Sequence, residues 1–387
     1  MQRTDVLIVG ASVAGIEVAH QLARRAPEMR VTVVSREHRT PYDRPPLSKQ
    51  MILDPVAGTR ELIVGDPDFT LILGDAVATV DYTQRVARLT SGEHIAYSTV
   101  VIATGATARR PDWAAGTEVL MLRDADDAAA INRRARTSET VLVVGGGLVG
   151  AEVAASLREH GKRVTVVHSH PLLSHHALGD DVARALTDLH RQRGVEVVSG
   201  RTVVGARPDG DAARLILDDG SELTADLVVA AVGAVPEAGI GPHAGTGGPI
   251  RCDAHGRVIG IDGVYALGDV SAWTDVDSGE VRSHQHWTNA VDQARVLVPA
   301  LLGEDVAPFR PSGYVWSDQY GVRFEKIGAV RPGLRAQRHP IERGELVAYL
   351  DADDRIVGAA AVNGGRPFAA IRKQLRLGPI LPEPAHA

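Results

Sequence analysis

Two uninterrupted apolar runs along the chain are each followed at once by a glycine-rich segment. Val6–Val9 continues into Gly10–Gly15, and Val141–Val144 continues into Gly145–Gly150. An apolar run without alternating polar positions is typical of a buried parallel strand. A glycine loop between such a strand and a helix lets backbone N–H groups approach a pyrophosphate. Two such segments predict that the chain binds two dinucleotides, most simply a flavin and the nicotinamide that reduces it.

The same patterning divides the chain into three predicted domains. Further parallel strands are predicted at Thr99–Ile102 and Leu227–Val232, whereas Val, Tyr and Ile alternate with polar residues near the C-terminus and predict an antiparallel sheet. The predicted fold class is α/β, with two Rossmann-like nucleotide-binding domains plus a C-terminal α+β domain. The expected boundaries are 1–110 and 235–306 for the first domain, 111–234 for the second, and 307–387 for the third.

Composition narrows the function. The formal net charge is −6 over 387 residues, so neither nucleic acid nor an anionic membrane is an expected partner. No apolar run reaches the ~18 residues that span a bilayer, and the first residues lack a basic-then-apolar leader, so a cytoplasmic location is predicted. Cys252 is the only cysteine, which excludes a disulfide framework and a dithiol active site within one chain.

Four separated motifs carry a resemblance to one known family. They are Pro41–Lys49, Gly268–Val270, Gln285–Ala290 and Trp316–Gly321. In this order they resemble the FAD-dependent ferredoxin reductases of bacterial oxygenase systems, a family that includes putidaredoxin reductase and the reductases of aromatic-ring dioxygenases. The resemblance implies a glutathione-reductase-like fold, with an FAD-binding domain, an inserted NAD(P)H-binding domain and a C-terminal domain that covers the flavin.

The activity that the resemblance implies is electron transfer. A hydride would pass from NAD(P)H to FAD, and single electrons would then pass to a separate iron–sulfur ferredoxin that supplies an oxygenase. A monomer or weak homodimer is expected. An NAD(P)H oxidase or diaphorase acting on small acceptors remains an alternative, as does a redox-responsive binding protein similar to apoptosis-inducing factor.

The C-terminal segment is the basic part of an acidic chain. Residues 307–387 contain 12 Lys and Arg against 8 Asp and Glu. An acidic ferredoxin is therefore expected to dock there, although a solvated face is the alternative. The candidate surface cations are Arg310, Lys326, Arg366, Arg372, Lys373 and Arg376.

The first glycine loop is expected to hold the FAD pyrophosphate. The residues concerned are Gly10, Ser12, Ala14 and Gly15, with Ser12 in place of the usual middle glycine. Where an acid usually binds the adenosine ribose, the chain has Arg36 with Glu37 beside it, and the sequence leaves open which of them acts there. The resemblance assigns further FAD contacts to Arg44, Val77, Arg123, Asp269, Trp287 and Trp316.

Lys49 and Glu152 are the predicted catalytic residues. In the family, a lysine at the end of the Pro-Leu-Ser-Lys motif lies by the flavin N5 and pairs with a glutamate of the nicotinamide-domain helix; these positions are Lys49 and Glu152 here. A buried ammonium needs such a partner, and near N5 it would stabilise the electron-rich reduced flavin. No cysteine precedes Lys49, so electrons are expected to leave the flavin directly rather than through a thiol.

The second glycine loop is expected to hold the nicotinamide coenzyme. The contacts are assigned to Gly145, Gly147, Leu148, Val149, Gly150, Gly233 and His168. NADH-preferring relatives usually place Glu at the position of His168, to accept from the ribose 2′-OH. A protonated histidine there would favour a 2′-phosphate, so the choice between NADH and NADPH stays open.

Three more histidines follow His168. They are His170, His175 and His176. Because no carboxylate or cysteine ligand accompanies them, no metal is predicted. A phosphate-tolerant pocket is favoured, with a plain surface run as the alternative.

Overall fold

A computed structural model of the chain describes residues 1–56, 60–242 and 247–380. In this part the strands β1 to β25 are, in order, Gln2–Val9, Val31–Ser35, Thr70–Leu73, Val77–Asp81, Val86–Leu89, His94–Ile102, Ala106–Ala108, Leu120–Met121, Thr140–Val144, Arg163–His168, Glu196–Ser199, Val203–Asp209, Ala212–Leu217, Glu222–Ala225, Leu227–Ala230, Ala234–Pro236, Ile250–Cys252, Val264–Ala266, Ser271–Thr274, Val281–Arg282, Val315–Gln319, Val322–Gly328, Arg335–Ile341, Gly344–Leu350 and Ile356–Val362.

The helices α1 to α8 of the described residues are Val13–Arg25, Gln50–Leu53, Ala125–Thr137, Leu148–Glu159, His175–Leu178, Asp180–Gln192, Trp287–Leu301 and Gly365–Leu375. The chain forms two compact units. The first comprises Met1–Pro45, Thr59–Thr107 and Ala234–Pro311, and the second comprises Pro46–Gly58, Ala108–Gly233 and Ser312–Ala387. The three-domain division expected from the sequence stays a prediction.

The first unit is built on a mixed sheet. Its strand order is β3-β2-β1-β6-β5-β4, and β18 also pairs with β6. Strands β1, β2, β3, β6 and β18 run parallel, whereas β5 and β4 join in antiparallel fashion. The predicted run Val6–Val9 forms the end of β1 and is almost fully buried. The chain then leaves β1 at the carboxyl edge of the parallel strands, where open α/β sheets bind their ligands.

The second unit repeats this plan around the other glycine loop. Its parallel sheet has the order β11-β10-β9-β15-β8, and a three-stranded antiparallel sheet, β12-β13-β14, accompanies it. A five-stranded antiparallel sheet, β21-β22-β25-β24-β23, accounts for the alternating pattern near the C-terminus. Phe324 and Val347 of this sheet share one apolar core with Val153 and Leu157 of α4.

Candidate functional site

The two glycine loops have the same geometry, and that geometry requires glycine. Gly10 and Gly145 both have left-handed backbones, with φ of 111° and 114°. A Cβ on Gly10 would lie 2.3 Å from the Ala103 carbonyl oxygen, and one on Gly145 would lie 2.2 Å from that of Ala231. Five residues on in each loop, a Cβ would lie about 2 Å from the carbonyl oxygen of Gly10 or Gly145. In each loop, strand, turn and helix therefore pack too closely for a side chain at these positions. Without side chains there, a ligand can approach the backbone N–H groups.

The helix that follows each loop begins in a way that suits an anion. α1 begins after Ser12 and α4 after Gly147; neither N-cap residue makes a side-chain capping hydrogen bond, and neither first turn contains an acidic residue. The positive end of the helix dipole therefore faces each loop without a competing carboxylate. Ala14 and Gly15 lie in the first turn of α1, whereas Leu148, Val149 and Gly150 form that of α4. Both loops fit a pyrophosphate.

A charged cluster joins the first loop to the end of β2. Arg44 Nε donates to Ser12 Oγ at 3.0 Å, and Arg44 Nη2 lies 2.6 Å from Glu37 Oε1. The hydroxyl of Tyr42 donates to the other oxygen of Glu37 at 2.8 Å. Arg36 instead pairs with Glu237 at 2.5 Å and keeps a largely exposed side chain. The structure therefore brings Glu37, rather than Arg36, together with Ser12 and Arg44.

Two further predicted FAD residues, Asp269 and Trp287, lie in this unit. Asp269 is in a short 3₁₀ turn, and the preceding Gly268 is so close to Ala14 that a Cβ would lie 3.2 Å from its methyl group. Trp287 is the first residue of α7, and its Nε1 donates to Asp43 Oδ1 at 2.6 Å. Burial raises the pKa of Asp43, although the Trp287 hydrogen bond acts in the opposite direction.

Val77 is placed differently. It begins β4, and β6 and β5 separate that strand from β1 in the sheet. Its side chain is buried in the core of the first unit. The structure therefore does not bring the Val77 side chain to the first loop.

Lys49 and Glu152 lie together in the second unit. Lys49 Nζ is 2.8 Å from Glu152 Oε2, and only 16% and 8% of the two side chains are exposed. Ser317 Oγ donates to Glu152 Oε1 at 2.5 Å, and Ser48 Oγ donates to Oε2. The carboxylate thus accepts from one ammonium and two hydroxyls. Sequence reasoning missed both serines, although each is adjacent to a predicted residue, Lys49 or Trp316.

The other predicted residues of this unit lie on separate elements. Trp316 is on β21, and its ring stacks on Tyr314 with 5.8 Å between centroids. Arg123 directly precedes the capped start of α3, where its backbone N–H donates to Asp127 at 2.8 Å.

The second glycine loop lines a cavity of about 380 Å³. Gly145, Gly147, His168 and Gly233 all line it, and a Cβ on Gly147 or Gly233 would meet nothing within 4 Å. Two buried polar atoms at its wall, His168 Nδ1 and Ser174 Oγ, have no hydrogen-bond partner among the described residues. A cavity with unpaired polar atoms beside a helix N-terminus fits a nucleotide.

His168 is buried, and its ring packs on the glycine loop. Only 4% of the residue is exposed, and a Cβ on Gly146 would lie 2.5 Å from the imidazole. Its Nε2 lies 3.2 Å from Ser199 Oγ. Burial, with smaller effects of His170 and Arg191, lowers the pKa of His168 to about 4. A pKa this low leaves the ring uncharged at neutral pH, so the condition under which His168 was expected to favour a 2′-phosphate, a protonated ring, is not met there.

The three neighbouring histidines pack against one another at the edge of the cavity. His170 Nε2 and His176 Nε2 lie 3.2 Å apart, and His175 Nδ1 lies 2.6 Å from Asp180 Oδ1. Among residues 1–56, 60–242 and 247–380, no group of three His, Cys, Asp or Glu side chains is arranged to hold a metal ion.

Cys252 ends β17 and is fully buried in the core of the first unit. Burial raises the pKa of its thiol, which is the opposite of what a redox-active cysteine requires. In the described part of the chain, no helix is both long and apolar enough to cross a membrane.

The chain is similar to known flavin-dependent reductases over nearly its whole length. The family model for pyridine nucleotide-disulphide oxidoreductases matches residues 4–294, and that for the reductase C-terminal domain matches residues 314–385. The ferredoxin–NAD(+) reductase component of the p-cumate 2,3-dioxygenase system of Pseudomonas putida is 32% identical, over 96% of this chain and 93% of that protein. The reductase subunit of the benzene 1,2-dioxygenase system of the same species is 30% identical, over 94% and 90%.

Two solved structures are similar throughout. The ferredoxin reductase for the CYP199A2 system from Rhodopseudomonas palustris has a TM-score of 0.86 at 29% identity, covering 93% of this chain and 91% of that one. Putidaredoxin reductase in its covalent complex with putidaredoxin has a TM-score of 0.86 at 25% identity, covering 97% and 93%. The predicted fold class and the predicted resemblance are confirmed.

Proposed function

The chain belongs to the pyridine nucleotide-disulphide oxidoreductase family, and we propose that it passes electrons from a nicotinamide nucleotide through FAD to a separate iron–sulfur ferredoxin. The observation that decides among the reactions of this family is the state of the single cysteine. Cys252 is fully buried in a core, and no cysteine precedes Lys49, so no thiol can relay electrons. One cysteine is also too few to ligate an iron–sulfur cluster, so the proposed iron–sulfur acceptor is a second protein.

The first unit supplies the proposed FAD site. Backbone N–H groups at the start of α1 would hold the pyrophosphate, and Arg44 adds a positive charge that Ser12 positions. Glu37 is the proposed ligand of the adenosine ribose, because Arg44 and Tyr42 hold its carboxylate beside this loop. Asp269 is assigned to the ribityl chain. When bound, FAD supplies an acceptor for a hydride and a donor of single electrons.

The cavity of the second unit is the proposed site of the nicotinamide coenzyme. No Asp or Glu is among the described residues that line it, and His168 is neutral at pH 7. An uncharged imidazole does not repel a 2′-phosphate as a carboxylate would. We therefore expect NADH to be used and NADPH to be tolerated.

Lys49 and Glu152 are the proposed catalytic pair. Glu152 holds the Lys49 ammonium at 2.8 Å in a largely buried setting. A cation fixed in this way would stabilise the negative charge that accumulates on the flavin as it is reduced. The pair acts by electrostatics, and neither residue needs to transfer a proton.

The proposed ferredoxin contact lies at the end of α8. Lys373 and Arg376 are exposed, and the Arg372 guanidinium lies 4.5 Å from the centroid of the Tyr314 ring. Leu377 beside them is 90% exposed. An exposed apolar side chain close in sequence to three cations suits an acidic partner with an apolar contact point. Two of the candidate cations are less suitable, since Arg310 pairs with Asp277 and burial lowers the pKa of Lys326.

The test is turnover with and without an acceptor protein. Purified protein should carry one FAD, and NADH-driven reduction of cytochrome c should depend on an added iron–sulfur ferredoxin from an oxygenase system. Equal NADH oxidation without ferredoxin would point to an oxidase or diaphorase instead. Protein that gains no flavin absorbance on incubation with FAD would refute the proposal. We propose a cytoplasmic monomer or weak homodimer, which gel filtration can check.

A further inference from the structure

A chain of buried side chains leads away from the Lys49–Glu152 pair within the second unit. Glu152 accepts from Ser317 at 2.5 Å, and Ser317 Oγ accepts from Gln319 Nε2 at 2.9 Å. Gln319 Oε1 lies 2.7 Å from His190 Nε2, and His190 Nδ1 lies 3.5 Å from the Tyr320 hydroxyl. Ser317, Gln319 and His190 are 0–3% exposed, so water does not compete for these bonds.

The donors and acceptors in this series of hydrogen bonds can be assigned in only one consistent direction. An ionised Glu152 can only accept, so the single hydroxyl hydrogen of Ser317 points to it. The Ser317 oxygen must then accept from the Gln319 amide nitrogen, which leaves Oε1 to face His190. His190 therefore carries its hydrogen on Nε2, and burial lowers its pKa so that it stays neutral. Each donor thus points towards the carboxylate, an arrangement in which hydrogen bonds strengthen one another.

Backbone structure holds Gln319 in place. Ser317 and Gln319 alternate on β21, so their side chains share one face of the sheet. Gln319 is the last residue before a two-residue turn to β22, formed by Tyr320 and Gly321. Both turn residues have positive φ, 54° and 74°, which is unusual for a tyrosine.

The Tyr320 ring lies between His190 and Arg193. Its ring packs edge-on against His190 at 5.2 Å, and the Arg193 guanidinium lies 5.3 Å from its centroid. A left-handed conformation persists at a bulky residue only where the surroundings enforce it. The turn, the ring and His190 thereby fix the orientation of the Gln319 amide.

We propose that Gln319 is a positioning residue for hydride transfer, which acts through Ser317 to orient the Glu152 carboxylate and so the Lys49 ammonium. This inference rests on the proposed catalytic role of Lys49 and Glu152. Gln319 acts at one remove from the pair: its amide donates to the Ser317 oxygen, and this bond fixes the rotation of the Ser317 hydroxyl towards Glu152.

The experiment is stopped-flow reduction of the FAD-loaded enzyme by NADH. Gln319→Met keeps the length of the side chain and removes its hydrogen bonds. We expect the limiting rate of flavin reduction to fall about fivefold, as loss of one hydrogen bond of ~1 kcal/mol predicts. The NADH concentration for half-saturation should not change, because the coenzyme cavity has no lining residue in this chain of bonds.

Ser317→Ala removes the hydroxyl that links Gln319 to Glu152. It provides a second, independent variant in case Gln319→Met misfolds. It should slow reduction at least as much, and Gln319→Met should have no further effect in the Ser317→Ala background. Ser138→Ala is the matched control, because it removes a buried hydroxyl of the same unit that bonds only to a helix carbonyl, that of Arg134. Its rate should equal that of wild type.

Three outcomes would overturn the inference. A wild-type rate in Gln319→Met, while Glu152→Ala is slow, would show that the relay, the series of hydrogen bonds from His190 through Gln319 and Ser317 to Glu152, does not act on the Lys49–Glu152 pair. An equal loss from Gln319→Met in the wild-type and Glu152→Ala backgrounds would show a purely structural effect. A wild-type rate in Glu152→Ala would refute the catalytic role of the pair itself, and the relay with it.

Discussion

Glu152→Ala should lower the free energy of unfolding more than Lys49→Met does. Glu152→Ala removes the carboxylate that faces the Lys49 ammonium and takes the acceptor from the Ser48 and Ser317 hydroxyls. Removing one partner of a buried ion pair costs about 3–5 kcal/mol, and the 16% exposure of Lys49 favours the lower end. Lys49→Met leaves Glu152 with both hydroxyl donors, so its cost should be smaller, about 1–3 kcal/mol.

The double variant separates a working pair from two independent residues. Lys49→Met/Glu152→Ala removes both charges, so its cost should fall short of the summed single costs by ~2 kcal/mol. Guanidinium unfolding midpoints measure the stability. Stopped-flow reduction by NADH measures function, where each single variant should be slow and the double variant should be little slower than either. Additive effects in both measurements would refute the pairing, and equal stability of the single variants would refute the role given to the two serines.

Three further outcomes follow from the structure. His168→Glu should lower the ratio of kcat/KM for NADPH to that for NADH, because it places a carboxylate where the ribose 2′ position is expected; a wild type that rejects NADPH by several orders of magnitude would contradict this. The pKa of His168 is lowered from 6.5 to about 4 in the folded protein, so its contribution to stability is full above pH 6.5 and is lost as pH falls towards 4. The loss amounts to about 3 kcal/mol, and His168→Leu should show a flatter acid branch in pH-dependent unfolding. Ferredoxin reduction should slow as salt rises and should slow further when Arg372, Lys373 and Arg376 are changed to Glu, while flavin reduction by NADH stays constant; a salt-independent rate with no loss in the triple variant would place docking elsewhere.

Local features of the sequence were sufficient for much of the fold. The apolar run Val6–Val9 and its glycine loop specify the end of strand β1, the turn after it and the start of helix α1. Glycine is required at positions 10 and 15 because a Cβ there would clash with the backbone of Ala103 or of Gly10. These contacts lie within the segment or just after the adjacent strand, so the sequence pattern alone indicates the loop geometry. The alternation near the C-terminus likewise predicted the antiparallel sheet that contains β21 and β22.

The sequence could not decide which groups meet across long separations, or what burial does to them. Arg36 and Glu37 are equivalent candidates until the fold brings Glu237 to the one and Arg44 to the other. A histidine at position 168 is a possible cation in the sequence, yet burial leaves it neutral.

The relay from His190 to Glu152 shows the same limit. Gln319 is 129 residues from His190, and Ser317 is 165 residues from Glu152. Periodicity and loop motifs report on neighbours along the chain, because strands and helices are set by local backbone geometry. Charge state and hydrogen-bond direction depend instead on desolvation and on partners that only packing brings within 3 Å, so only the tertiary structure decided them.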